Sequence, residues 1–245
     1  MNETLLLSLL ILVAALLYSS VGHGGGSGYL AAMALFGLAP DVMKPTALVL
    51  NLVVATVGTI RFARAGHFSW NIFWPFAVLS IPLAFVGGAM KLPIHVYKII
   101  LGVVLLFAAI RLAIRQSSHA SAEQKAIPFL PAMLLGAAIG LLSGLVGVGG
   151  GIFLSPILLL LGWADTRKTA GVSVVFILVN SLAGLLGHVA SVQKVPHEIA
   201  WWGPAALIGG LSGAELGSRR LAPMTMRRLL AVVLVVAGVK MLITK

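Results

Sequence analysis

Two glycine-rich pentapeptides carry the residues best suited to chemistry. Gly22-His23-Gly24-Gly25-Gly26 and Gly147-Val148-Gly149-Gly150-Gly151 stand at an offset of 125 (147 − 22). Each follows a long apolar run and precedes a short one, so each supplies the start of a new helix. The first N–H groups of a helix have no intrahelical acceptor and sit at the positive end of its dipole. Glycine lacks a Cβ, so the backbone of Gly24–Gly26 and Gly149–Gly151 can approach a ligand closely. That combination binds anions without a buried Lys or Arg. Ser19, Ser20, Ser27 and Ser143 lie nearby as hydroxyl donors, and Asn51 and Asn180 as amide donors. The expected anion site therefore comprises Ser19, Ser20, Gly22, His23, Gly24, Gly25, Gly26, Asn51, Ser143, Gly147, Gly149, Gly150, Gly151 and Asn180. His23, inside the first run, is the candidate for carrying a coupling proton.

Other chemistries find little support. There is no cysteine, which removes disulfides, thiol catalysis and cysteine metal sites. Gly26-Ser27-Gly28-Tyr29-Leu30-Ala31 fits a dinucleotide-binding pattern, but it follows no strand and lacks the acidic residue about 20 positions on. No Gly-Lys-Ser/Thr occurs, so no P-loop is present. No dense acid/His cluster suggests an enzyme. No cofactor and no metal are expected.

The elements around the pentapeptides are read from hydropathy. Of 245 residues, 60% are hydrophobic and only 9% charged. A soluble domain carries about 25% charged residues, so lipid must be this chain's solvent. The net charge of +11 needs no nucleic acid partner, because the bases fall between and at the ends of apolar runs, as the positive-inside rule requires. The runs are 4–21, 27–39, 43–61, 69–90, 94–114, 128–145, 151–162, 169–190, 199–217 and 225–243. Residues 4–20 read as a retained helix, since no base precedes Lys44 to form a signal-peptide n-region.

The polar stretch 116–127 divides the chain near its midpoint. It separates a first transmembrane repeat, 1–115, from a second, 128–245. In each half the pentapeptide is followed by a basic loop element (Lys44; Arg167-Lys168), then a run with a central Asn (Asn51; Asn180), a Trp-starting run and a final run preceded by bases. Five elements per half is an odd count, which makes the halves antiparallel: an all-α polytopic membrane fold of about ten helical elements in two inverted repeats. With ten elements, all nine Arg plus Lys125 and Lys168 fall on one face, which is expected to be cytoplasmic, with both termini outside. The same bias favours a helix, a glycine turn and a short return element in each half. It leaves open whether 27–39 and 151–162 emerge fully.

Several residues read more blandly. Gly136-x3-Gly140-x3-Gly144 and Gly209-x3-Gly213-x3-Gly217 are stripes for close helix crossing, which allow a homodimer without requiring one. Glu215 suits a local ion pair with Arg219. His188 reads as interfacial, and Trp70, Trp74, Trp201 and Trp202 as interfacial belt residues.

The motif Gly147-Val148-Gly149-Gly150-Gly151-Ile152-Phe153-Leu154-Ser155-Pro156 is similar to the G-x-G-G-G-x4-P pattern of the sulfite exporter TauE/SafE (TSUP) permeases. Asn180-Ser181-Leu182-Ala183-Gly184 and His188 are similar to a further signature of that family, and the whole chain resembles it. The first half departs from the pattern: Ala31 takes the proline position, and Ser27 and Gly28 replace bulkier residues. The resemblance implies a carrier of sulfite, sulfoacetate or other small organic anions across the inner membrane, often tied to the proton gradient. The readings kept beside it are an anion channel and a non-transporting membrane assembly protein.

Overall fold

A computed structural model describes residues 3–20, 22–113, 125–192, 199–219 and 224–243. Among these residues it holds ten α-helices and no strand: α1 (Glu3–Ser19), α2 (Gly26–Leu35), α3 (Pro40–Arg64), α4 (Trp70–Ala89), α5 (Ile94–Ala113), α6 (Phe129–Val146), α7 (Gly151–Leu160), α8 (Thr166–Val192), α9 (Ile199–Arg219) and α10 (Met224–Ile243). Five spans within α3, α4, α5, α6 and α8 are long and apolar enough to cross a bilayer. Large apolar side chains such as Leu134, Leu186 and Ile208 stand exposed on the outer surface, where only lipid would accept them. The chain is an all-α, multi-pass membrane protein. Most of the linker, 116–124, lies outside the described residues.

α2 and α7 have ten residues each. At 1.5 Å per residue each is about 15 Å long, half of a hydrocarbon core about 30 Å thick. Neither can cross as a helix. The backbone N–H of Lys125, just ahead of α6, donates to the Gly162 carbonyl just after α7 (3.1 Å). The hairpin α6–α7 therefore enters and leaves at one end of the bundle.

Glycine contacts fix the helix directions. A Cβ on Gly136, Gly140 or Gly144 would strike the backbone of Phe76, Ser80 or Ala84 in turn, so α6 runs parallel to α4 at backbone contact. Gly209 and Gly213 meet Leu12 and Leu16 in the same way, so α9 runs parallel to α1. Gly171 lies against His67 just ahead of α4, and Gly184 and Gly187 lie against Gly88 and Phe85 near its end, so α4 and α8 run parallel. Gly136, Gly140, Gly144, Gly209 and Gly213 thus serve helix crossing, by removing the side chains that would hold the axes apart; the surroundings of Gly217 lie outside the described residues. Gly140→Leu should lower stability by about 3 kcal/mol, the upper range for overpacking a rigid contact. Thermal unfolding in detergent checks it against Gly203→Leu, where a Cβ meets nothing within 4 Å.

Two sequence boundaries move. α3 begins at Pro40, suited to the first helical turn, so Lys44 is not a loop residue. It is buried (6% exposed), and its ammonium donates to the carbonyls of Gly87, Gly88 and Met90 (3.1, 2.8 and 3.3 Å). It closes the C-terminal end of α4, where orphan carbonyls and the negative dipole end favour a cation. Likewise Arg167 and Lys168 sit in the first turn of α8, whose start is capped by Asp165: Oδ1 accepts from both backbone N–H groups at 2.9 Å.

Two other expectations, for His188 and Trp202, are corrected, and Glu215 has a partner the sequence did not suggest. Glu215 pairs with Arg61 of α3 (3.0 Å), because α3 runs parallel to α9, with Val54 against Gly210, and brings its last turn to the end of that helix; the expected pair with Arg219 falls on a side chain outside the described residues. His188 is 4% exposed, so it is not interfacial. Trp70, Trp74 and Trp201 are exposed as belt residues would be, but Trp202 is buried in the core with Leu7, Ile11 and Ala206.

Candidate functional site

The two glycine runs meet. A Cβ on Gly26 would lie 2.5 Å from the Val148 carbonyl oxygen and 2.7 Å from Asn51 Nδ2, so the start of α2 rests on the backbone of the second run. Gly22, Gly25, Gly147, Gly149 and Gly150 all have positive φ, between +76° and +102°. An L-residue there would cost roughly 1–2 kcal/mol. The left-handed turns at Gly25 and Gly150 immediately precede the first residues of α2 and α7. Helix geometry then leaves the N–H groups of Gly26, Ser27, Gly151 and Ile152 without intrahelical acceptors.

Asn51 joins the runs. It is fully buried on α3, and its Nδ2 donates to Val148 O (3.2 Å) and, more weakly, to Gly147 O (3.5 Å). Those donations fix the amide's orientation and turn Oδ1 toward Gly24, where a Cβ would lie 2.8 Å from it. Oδ1 has no protein partner. Asn180, its sequence counterpart, behaves differently: Nδ2 donates to Phe176 O of its own helix (2.8 Å), and Oδ1 is again unpartnered. Ser143 and Ser181 are fully buried with unpartnered hydroxyls. Ser181 Oγ would lie 3.0 Å from a Cβ on Gly149, which brings it to the same place.

The first run is also tied to the second half through side chains. His23 Nε2 lies 3.0 Å from Ser155 Oγ of α7, which lies 2.8 Å from Ser173 Oγ of α8. The Tyr18 ring packs edge-on to His23, with centroids 6.3 Å apart. Tyr29 Oη donates to Gly24 O (2.7 Å), fixing the turn before α2.

Of the hydroxyls expected as donors, three are committed elsewhere. Ser19 donates to Gly210 O of α9 (2.9 Å), Ser20 to Leu17 O (2.8 Å) and Ser27 to Tyr18 Oη (2.6 Å). Ser19 and Ser20 hold the end of α1 in place; neither has a proton left for a ligand in this arrangement. The structure brings together Gly24, Gly26, Gly149 and Asn51, with His23 one serine away from α8. The unexpected members are Ser155, Ser173, Ser181 and Tyr29. Ser173, Ile177 and Ser181 recur at i, i+4 and i+8, so one face of α8 carried a readable signal. Ser155 lies inside the second glycine motif itself.

Comparison with known proteins places this arrangement in context. A family model described as "Sulfite exporter TauE/SafE" matches residues 7–241. A probable membrane transporter protein of Sinorhizobium fredii is 42% identical, over 98% of this chain and 99% of the relative. One of Methanocaldococcus jannaschii is 30% identical, over 98% and 97%. One of Bacillus subtilis is 24% identical, over 90% and 92%. No solved structure matches.

Proposed function

This chain belongs to the sulfite exporter TauE/SafE family, and from that premise we propose that it is a secondary transporter of a small anion, with sulfite or an organosulfur anion as the leading substrate. The observation that carries the reading is the meeting of two glycine breaks, Gly26 against Val148, bridged by Asn51. Two helix starts converge there, and their free N–H groups are donors for a negative charge. In this conformation the breaks touch, so an anion reaches between them only when they part. Relative rocking of the halves would do that, with backbone and amide donors following the ligand to either side.

Pairings support two inverted repeats. α1 packs on α9 as α6 packs on α4, and α3 on α8 and α5 on α10 are each other's counterparts. The first-half hairpin α1–α2 ends beside α10, where Lys240 donates to Leu35 O (2.8 Å). The arginine-rich end is assigned to the cytoplasm and both termini to the outside of the inner membrane.

His23 is the coupling candidate, because a doubly protonated ring can only donate to Ser155, whereas a neutral ring can also accept from it. An anion bound at the breaks would favour the charged ring. Uptake into proteoliposomes tests both claims, with sulfite, thiosulfate, sulfate, sulfoacetate and a carboxylate, each with and without an imposed pH gradient. Saturable uptake of one sulfur anion that follows the gradient, with the gradient response lost in His23→Gln, is the expected result. Folded protein that takes up none of the five removes the substrate assignment. Flux that neither saturates nor shows counterflow would indicate a channel.

A further inference from the structure

A second place in the molecule has the makings of an anion site. A cavity of about 540 Å³ opens at the lysine-bearing end, between the start of α3, the α4–α5 connection, the start of α5 and the end of α6. Lys44, Lys91, His188 and Asp41 line it, together with apolar groups that include Met90, Leu92, Ile94 and Leu145. Lys44 is the informative member. It is more than nine-tenths buried, and its bonds go to three neutral carbonyls. Neither Asp41 nor any other described carboxylate forms an ion pair with it. Those carbonyls complete its hydrogen bonding but leave a full positive charge in the wall. A buried cation without a counter-charge is costly, and an anion in the cavity would offset that cost. Lys91, exposed on the same wall, adds a second charge of the same sign.

The cavity also adjoins the glycine break. The Lys44 backbone sits against Gly147, where a Cβ would lie 2.9 Å from the Lys44 carbonyl oxygen. Tyr97, another lining residue, donates its hydroxyl to Val146 O (3.1 Å). One layer of residues therefore separates the cavity from the second break.

We propose that this cavity is a separate binding site for a small organic monoanion with a short apolar tail. The anionic head faces Lys44 and Lys91, and the tail lies on Met90, Leu92 and Leu145. The site holds the anion on the lysine side of the bundle, next to the break. It does not depend on transport occurring. An anionic lipid headgroup offers the same charge, and the experiment separates the two sources.

Butyrate is the probe, with butanol as its neutral counterpart, measured by saturation-transfer NMR on the full chain in nanodiscs. One set of discs holds only phosphatidylcholine and another holds added phosphatidylglycerol. The expected result is saturable butyrate binding in phosphatidylcholine discs, no comparable butanol binding, and a loss of affinity of about fivefold to tenfold in Lys91→Gln, in line with about 1 kcal/mol for one partly screened charge. Lys44→Gln should lose more, but it also uncaps α4. Leu92→Trp therefore serves as the second variant: it fills the cavity, leaves every charge in place, and should remove binding. Equal binding of butanol, or unchanged butyrate affinity in both Lys91→Gln and Leu92→Trp, overturns the site. So does butyrate binding nowhere while phosphatidylglycerol alone protects the protein against thermal unfolding. Transport is scored separately. A protein that transports but does not bind butyrate here loses this site alone, whereas one that binds butyrate but transports no anion loses the transport reading alone.

Discussion

Gly26→Ala is expected to reduce anion uptake at least about tenfold in a protein that still folds. The added methyl carbon would stand 2.5 Å from the Val148 carbonyl oxygen and 2.7 Å from Asn51 Nδ2. The carbonyl belongs to a turn held by positive-φ glycines on either side, Gly147 and Gly149, so it cannot rotate away as a side-chain end could. The clash must push the breaks apart, at a strain of roughly 1–3 kcal/mol. A strain of 1.4 kcal/mol is a tenfold factor in an equilibrium, so even the middle of that range displaces the touching state the transport cycle passes through. The global fold should survive, because the helix crossings at Gly136–Gly144 and Gly209–Gly213 lie elsewhere on α6 and α9. Gly203→Ala is the control: its Cβ meets nothing within 4 Å, and alanine in a helix is favoured by up to about 1 kcal/mol. Uptake is read beside gel filtration and unfolding temperature for both variants. Wild-type uptake by a folded Gly26→Ala protein would mean that contact between the breaks has no part in transport.

Asn51→Leu should cost both stability and uptake, and Asn180→Leu should cost less stability. The side chains are close in volume, so little cavity forms. In Asn51→Leu the carbonyls of Gly147 and Val148 lose their amide donor inside the protein. An orphaned buried acceptor costs about 1–3 kcal/mol. The lost bonds join α3 of one half to the break of the other, so uptake should fall about tenfold or more. Asn180 donates only to Phe176 O, a carbonyl that already serves its own helix. Removing it leaves no inter-element bond broken, and unfolding temperature should fall by less than half as much. Equal losses for the two variants would show that the asparagines are equivalent and that the bridge seen for Asn51 carries no special weight.

That difference between Asn51 and Asn180 also marks where sequence reading reaches its limit. The two occupy matching places in the hydropathy pattern, and nothing in the local sequence separates their hydrogen bonds. The same limit applies to Ser19 and Ser20. A serine beside a glycine break is a plausible ligand donor, but whether its proton goes to a ligand or to Gly210 of α9 depends on a neighbour 191 residues away. Lys44 reads as a loop base because lysine is rare within membrane helices. It is tolerated in α3 only because the chain folds the end of α4 over its ammonium.

The helices themselves were readable. Solvent chemistry explains why: hydrocarbon cannot satisfy backbone N–H and C=O groups, so a long apolar run has few options besides a helix. Run boundaries such as 128–145 and 199–217 agree with α6 and α9 to within about two residues at each end, the ordinary uncertainty of helix ends. The ten-residue α2 and α7 were legible as short elements after glycine.

By itself the sequence determined that this is a helical membrane protein, that two glycine breaks start short helices, and that two glycine stripes bring helices together. These depend on local composition and period, which act over one or two turns. Only the tertiary structure decided that the α6–α7 hairpin returns to its own end, that Gly26 rests on Val148, that His23 reaches Ser155, and that Lys44 walls a cavity. Each of those is a contact between segments far apart in the chain. Their partners are chosen by packing, and packing is a property of the whole bundle.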